Sequence, residues 1–179
     1  MFTERLTPVP EAILIRDMED SDADAVLRIY AEGIATGHAT FEQEVPSWER
    51  FTGGRLEQPR LVAEVDGQVA GWAACGAFSS RPVYSGVVEH SVYIAESARG
   101  LGVGRHLLSS FLDEAERAGL WLVESRIFPE NKASLALHLA CGFRVVGRYN
   151  RMGKMPYGPM EGRWRDCIIV AWRSGKHPE

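Results

Sequence analysis

The stretch from residue 87 to residue 119 constrains the fold more than any other part of the chain. Residues Val87 to Ile94 predict a strand, and a glycine-rich turn follows at residues 99–104. Apolar side chains then recur at helical spacing up to Ala115, and Gly119 is a helix C-cap. A strand that passes through a tight turn directly into an amphipathic helix is an α/β arrangement, so this unit places the chain in that class.

The other elements complete a mixed sheet. Gly37 ends the first helix, which Ser21 caps, and Asp66-Gly67 is a tight hairpin turn. Strands are predicted at 12–16, 61–65, 68–77, 121–128, 143–149 and 166–172, and helices at 21–37, 46–53 and 131–141. The last strand is apolar on both faces, which favours a central or covered position. We therefore predict six to seven strands in one layer, with helices on both faces.

Length, charge and cysteine content exclude several classes of protein. The 179 residues fit a single domain, with flexible ends expected at 1–11 and 174–179. A net charge of -4 argues against a nucleic-acid partner, and no apolar stretch approaches the ~20 residues that span a bilayer. Cys75, Cys141 and Cys167 form no CxxC pair, which argues against a disulfide framework and a metal site. Free thiols are typical of a reducing cytoplasm, where we expect this protein.

The glycine-rich turn has the features of an anion site. Alternate glycines let the backbone approach a ligand closely, and the start of a helix adds unpaired N–H groups and a positive dipole end. Arg99 and Arg105 add positive charge, so we expect a pyrophosphate to bind at Arg99, Gly100, Leu101, Gly102, Val103, Gly104 and Arg105. The spacing is neither GxGxxG nor a P-loop. The alternative is a tight connection that merely needs small residues.

These residues resemble the GCN5-related N-acetyltransferase (GNAT) superfamily, whose pyrophosphate loop reads [R/Q]xxGx[G/A]. The resemblance continues at Asn131, Ser134 and the helix end at residues 137–143. More narrowly, the chain is similar to the phosphinothricin / methionine sulfoximine N-acetyltransferase group, through Thr40-Phe41-Glu42, residues 88–94 and residues 162–166. The resemblance covers residues 12–173.

The resemblance implies the superfamily's mostly antiparallel sheet, acetyl-CoA as co-substrate and a small primary amine as acceptor. Phosphinothricin, methionine sulfoximine and methionine sulfone are the acceptors it suggests, and a homodimer is common among similar proteins. It also implies that Val92, Tyr93 and Ile94 pair with pantetheine through their backbone, and that Asn131 and Ser134 contact the cofactor. Two segments depart from similar sequences: residues 155–161 are extra, and the loop around 81–84 is shorter. Both would border the acceptor site.

Glu89 is the expected general base, because an amine attacks a thioester only after it has lost a proton. Strand alternation groups Glu89 with Val87, Ser91 and Tyr93 on one face, and apolar neighbours favour proton acceptance by a carboxylate. The resemblance also implies this role, because the corresponding glutamate is the base in similar proteins. The alternative is a solvated strand glutamate.

His138 is the second catalytic candidate. Asn131, Ser134, His138 and Cys141 form one polar stripe on an otherwise apolar helix, and coenzyme A would be a polar partner for it. His138 could protonate the departing thiolate or could be a hydrogen-bonded core histidine, with Tyr149 and Tyr93 as weaker acid candidates. We interpret Cys141 as structural, since direct transfer needs no acyl-enzyme.

The acceptor site is expected to include Phe41, Glu42 and Arg81. A guanidinium binds a carboxylate through two parallel hydrogen bonds, so Arg81 could clamp the carboxylate of an amino-acid substrate. The alternative for Arg81 is a solvated loop arginine, and Phe41 could equally be a core residue.

His90 should face away from Glu89 and be structural. Other functions left open are acetylation of another small amine or a protein N-terminus, and a non-catalytic CoA sensor.

Overall fold

A computed structural model describes residues 12–176, and over this range seven strands and four α-helices form one layered unit. The helices are α1 Ala23–Ala35, α2 Trp48–Gly53, α3 Val103–Arg117 and α4 Lys132–Ala140. The strands are β1 Ile13–Asp17, β2 Arg60–Val65, β3 Gln68–Ala77, β4 Val87–Ile94, β5 Leu122–Ile127, β6 Arg144–Lys154 and β7 Trp164–Arg173.

All seven strands belong to one sheet, in the order β1-β2-β3-β4-β5-β7-β6. Only β4 and β5 run parallel, whereas every other neighbouring pair is antiparallel. The predicted α/β class and the mixed, mostly antiparallel sheet are confirmed. Strand β7 is covered on both edges, since it lies between β5 and β6, but it is next to the edge strand and not at the centre of the sheet.

Helices α1 and α2 cover one face of the sheet. The ring of Tyr93 on β4 lies 4.9 Å from that of Tyr30 on α1 and 4.8 Å from that of Trp72 on β3. Phe51 of α2 packs edge-on against Trp72 at 5.0 Å. Aromatic edge contacts add to the burial energy of such a layer.

Helices α3 and α4 cover the opposite face. His90 follows Glu89 on β4, and its ring lies 5.5 Å from Phe111 of α3 and 5.0 Å from His138 of α4. Successive side chains of a strand point to opposite faces, so His90 and Tyr93 belong to different layers. The prediction that His90 faces away from Glu89 agrees with this packing.

Two of the predicted boundaries that were wrong have an identifiable physical cause. Ser21 does not cap α1; instead a 3-10 turn spans Asp20–Asp22, and the Asp22 carboxylate accepts the Glu19 N–H at 2.8 Å and pairs with Arg16 at 2.7 Å. The hydrogen bonds to Asp22 and its ion pair with Arg16 lower its pKa. Strand β6 also continues five residues beyond the predicted end, because its pairing with β7 resumes at Gly153 after an irregularity.

Of the two predicted flexible ends, residues 1–11 and 177–179 lie outside the described range. Ser174, at the start of the second end, is buried and donates its N–H to the Trp121 carbonyl at 3.0 Å. Between residues 12 and 176, no helix combines the length and the hydrophobicity required to cross a bilayer.

Candidate active site

The candidate site is a cleft that opens where β4 and β5 part. The two strands pair only at Val87 to Glu89, opposite Leu122 to Glu124, and beyond this point they diverge. A cavity of about 900 Å³ fills the gap. This volume lies within the range of sites that bind small molecules. Its walls come from both strand ends, the turn at 99–105, the start of α4 and the loop after α1.

The glycine-rich turn lines one part of this cavity. Gly100 and Gly102 have φ angles of 79° and 83°, in the left-handed region that glycine adopts without a steric cost. A Cβ at Gly100 would meet no atom within 4 Å, so the turn is open to a ligand at that position. Arg99 and Arg105 are exposed beside it.

All the residues predicted for the turn line the cavity except Leu101, whose side chain packs on the hydrophobic core. Helix α3 begins at Val103, so the N–H groups of Val103 and Gly104 lack acceptors one turn earlier, whereas the Arg105 N–H donates to the Gly102 carbonyl at 3.1 Å. The turn therefore presents main-chain donors and two cations, which fits a diphosphate.

Strand β4 offers its backbone to the cleft. Val92, Tyr93 and Ile94 all line the cavity, and β3 pairs with only one edge of this part of the strand. Among the strands of residues 12–176, none pairs with the other edge after Glu89, because β5 has diverged. Its N–H and C=O groups can therefore pair with the amides of an extended ligand. The Tyr93 ring itself lies in the aromatic layer, where burial raises its pKa.

The start of α4 forms another wall. Asn131 caps this helix by accepting the Ser134 N–H at 3.1 Å, and both residues line the cavity. The Asn131 amide also donates to the His38 carbonyl at 3.3 Å. The predicted cofactor contacts Asn131 and Ser134 thus lie together with the turn and the β4 edge, in one cavity.

Glu89 lines the cavity at the point where the strands part, but its surroundings are not apolar. Its carboxylate pairs with the Arg126 guanidinium at 3.0 Å, and Arg126 also reaches Glu124 at 3.3 Å. The Glu89 side chain is 42% exposed. One cation between two carboxylates leaves one net negative charge, which attracts an ammonium group. Arg126 was missed in the sequence, where only the two-residue spacing from Glu124 on one strand face could have indicated it.

His138 borders the cavity, but its ring is only 1% exposed and both ring nitrogens have partners. Nδ1 lies 2.7 Å from the Ser134 carbonyl, and Nε2 lies 2.9 Å from Nε2 of His90. A carbonyl only accepts, so Nδ1 carries the proton and Nε2 accepts from His90. Burial lowers the pKa of both histidines. His138 therefore has no free N–H in this structure with which to protonate a thiolate, as the predicted acid role requires.

Of the three residues predicted for the acceptor site, one lines the cavity and two do not. Phe41 lines the cavity and packs edge-on against Phe128 at 4.8 Å. Glu42 and Arg81 are exposed and are not among the lining residues, and the Arg81 guanidinium lies 5.6 Å from the Tyr84 ring. Among residues 12–176, no group of three or more His, Cys, Asp or Glu side chains is arranged to hold a metal ion.

This chain is similar to known N-acetyltransferases. The acetyltransferase (GNAT) family profile matches residues 23–143. A phosphinothricin N-acetyltransferase from Alcaligenes faecalis is 37% identical over 167 residues, which are 89% of this chain and 81% of that protein. An L-methionine sulfoximine/L-methionine sulfone acetyltransferase from Salmonella typhimurium is 32% identical over 168 residues, covering 91% and 95%. The crystal structure of a GNAT phosphinothricin acetyltransferase from Sinorhizobium meliloti with acetyl-CoA superposes with a TM-score of 0.80, at 31% identity, covering 92% and 89%.

Proposed function

Since the chain belongs to the acetyltransferase (GNAT) family and is an acetyl-CoA-dependent N-acetyltransferase, we propose that it acetylates the primary amine of an amino-acid analogue. Phosphinothricin, methionine sulfoximine and methionine sulfone are the proposed acceptors. The observation that carries this proposal is the cleft between β4 and β5, which joins the glycine-rich turn to Glu89 within one cavity.

The main-chain donors and the two cations that line the cleft support coenzyme A binding there. Residues 99–105 and the start of α4 would hold the diphosphate through main-chain N–H groups and the two arginines. The free edge of β4 would pair with the pantetheine amides at Val92 and Ile94. The rise from Glu89 to Ile94 is about 17 Å at 3.3–3.4 Å per residue, so an extended arm can reach from the turn to the carboxylate.

Glu89 would accept the proton of the substrate ammonium, directly or through one water. The Arg126 contact holds the carboxylate where the strands part. When bound, acetyl-CoA supplies the acetyl group as an activated thioester. The amine nitrogen bonds to the acetyl carbon as the carbon–sulfur bond breaks. Of the two protons that the ammonium loses, one goes to Glu89 and one to the departing thiolate, which becomes the CoA thiol. His138 would act with His90 to hold α4 against β4, rather than as the acid.

The acceptor end would be bounded by Phe41, with Glu42 and Arg81 as charged groups at its mouth. The β3–β4 connection, which carries Arg81, begins directly after Ala77, and Ala77 pairs with Val88. Arg81 therefore belongs to the Glu89 end of β4. A guanidinium there could reach the carboxylate of a bound amino acid.

A thiol-release assay with a panel of amines tests the proposal. We expect kcat/KM to be at least tenfold higher for the sulfoximine, the sulfone and phosphinothricin than for ordinary amino acids or a peptide N-terminus. A preference for peptides or for other small amines would show that the acceptor belongs to a different class from the one proposed. Tight binding of CoA with no turnover on any amine would favour a sensor instead.

We also propose a homodimer, a single domain and a cytoplasmic location. Edge strand β6 exposes Val145, Val146 and Tyr149 at 56%, 68% and 53%, which supports a self-association surface. Free Cys75, Cys141 and Cys167 support a reducing compartment. The net charge of -4 supports the absence of a nucleic-acid partner, and we propose no membrane partner. Sedimentation equilibrium would test the dimer, for which a Val146→Lys variant should be monomeric.

A further inference from the structure

The loop between α1 and α2 lines the cavity and is held by three other parts of the fold. Asn131 at the start of α4 donates to the His38 carbonyl at 3.3 Å. Tyr157, in the segment between β6 and β7, donates to the Thr40 carbonyl at 3.0 Å. Arg165 of β7 donates to the Gly37 carbonyl at 3.0 Å. Since each contact joins residues far apart in sequence, the backbone of this loop is fixed by the tertiary structure.

Arg165 makes the most demanding of these contacts, because its side chain is only 1% exposed. Its Nη2 lies 3.1 Å from Nδ1 of His38 and 3.0 Å from Oε2 of Glu130. Its guanidinium carbon lies 3.9 Å from the centre of the Phe128 ring. A buried charge is tolerated only when several partners compensate it, so these contacts determine where Arg165 lies.

The contact with Arg165 determines the tautomer of His38. Guanidinium nitrogens only donate, so Nδ1 of His38 must be the acceptor of this hydrogen bond. The proton of the neutral imidazole therefore lies on Nε2. His38 lines the cavity, and its Nε2 has no hydrogen-bond partner among residues 12–176. The loop thus brings one unused N–H donor to the cavity.

We propose that His38 is a substrate-contacting residue, whose Nε2–H donates to an oxygen of the acceptor amine, and that Arg165 is the residue that positions it. This inference rests on the proposed function and identifies one group that selects its substrate. The oxygen belongs either to a carboxylate or to the sulfur or phosphorus group of the analogue, since both present unpaired acceptors. Glu89, Arg126 and His38 would then surround one acceptor molecule.

Two substitutions separate the ring nitrogens of His38. Asparagine keeps an acceptor near Nδ1 for Arg165 but has no donor at Nε2, whereas glutamine places an amide N–H near Nε2. We expect His38→Asn to lower kcat/KM for methionine sulfone about tenfold, as for the loss of a hydrogen bond to a charged or strongly polar group. Glutamine restores the donor but not the acceptor for Arg165, so we expect His38→Gln to retain at least about threefold more kcat/KM than His38→Asn, with KM for acetyl-CoA unchanged in both. Equal activity of the two variants would overturn the proposal.

A double-mutant cycle tests the role of Arg165. If Arg165 positions His38, Arg165→Met should cost about tenfold in kcat/KM in the parent and less than about twofold in His38→Asn, where the donor is already lost. A purely structural role would cost the same in both backgrounds, and would overturn the positioning. CoA affinity reports whether each variant is folded, and Arg165→Lys replaces Arg165→Met in the cycle if the latter does not fold.

The choice of acceptor identifies the oxygen. Methionine lacks the oxygens on sulfur, and 3-(methylsulfonyl)propylamine lacks the carboxylate. The effect of His38→Asn should vanish for the acceptor that lacks the contacted oxygen, and an effect that persists with both would overturn the proposal. If the parent protein turns over no amine, the proposed function fails. Calorimetric binding of methionine sulfone to the CoA-loaded protein then tests His38, and equal affinity of the parent and His38→Asn would overturn it.

Discussion

Replacing Glu89 with glutamine should lower kcat strongly but change the free energy of unfolding only slightly. Removing a general base costs 10²- to 10⁴-fold, so we expect kcat to fall at least about 100-fold. The ion pair lost with it is weak, since Glu89 and Arg126 are 42% and 32% exposed. Such pairs contribute about 0–1 kcal/mol to the free energy of unfolding. That corresponds to a change in Tm of less than about 4 °C for a domain of this size.

Glu124 provides the matched control for this prediction. It contacts the same guanidinium at 3.3 Å but does not line the cavity, so Glu124→Gln should lower kcat less than about tenfold. Thiol release at saturating acetyl-CoA and acceptor measures kcat, and differential scanning calorimetry measures Tm. Equal losses in the two variants, or full turnover by Glu89→Gln across pH 6–9, would refute the assignment of the base.

Three further predictions use other parts of the molecule. Gly102→Val should weaken CoA binding at least about tenfold in calorimetry, because Gly102 has a φ of 83° and the turn must approach its ligand closely. Burial lowers the pKa of His90 and His138, so the unfolded chain binds more protons below pH 6.5. Urea titrations should show full stability above that pH and a loss of up to about 1.4 kcal/mol per histidine per pH unit below it; pH-independent stability would refute this. In thiol titration of the native protein at pH 8, Cys141 should react first, because burial raises the pKa of Cys75 to about 12; rapid labelling of Cys75 would contradict this.

Elements whose signals are local were predicted well. Gly37 follows α1 with a φ of 67°, and Gly119 follows α3 with a φ of 80°. Asp66-Gly67 joins β2 to β3 as a two-residue turn. Each of these helix ends and turns depends on the backbone preferences of one or two residues, so the neighbouring sequence is sufficient to predict it.

Features that depend on distant partners were missed or misjudged. The first turn before α1 depends on Arg16, which reaches Asp22 from β1. The surroundings of Glu89 depend on Arg126, which β5 brings beside β4. His138 loses its free N–H to His90, 48 residues away. None of these partners can be chosen from a local pattern, because several equivalent side chains lie at similar spacings.

The sequence by itself determined the order of strands and helices, the glycine-rich turn and the chemical type of each candidate residue. These follow from periodicity and from the backbone conformations that particular residues permit, and both act over a few positions. Only the tertiary structure decided where β4 and β5 part, which side chains reach the cavity, and which nitrogen of His38 is free. Those outcomes depend on contacts between residues up to about 130 positions apart, which form only when the whole sheet packs against its helices.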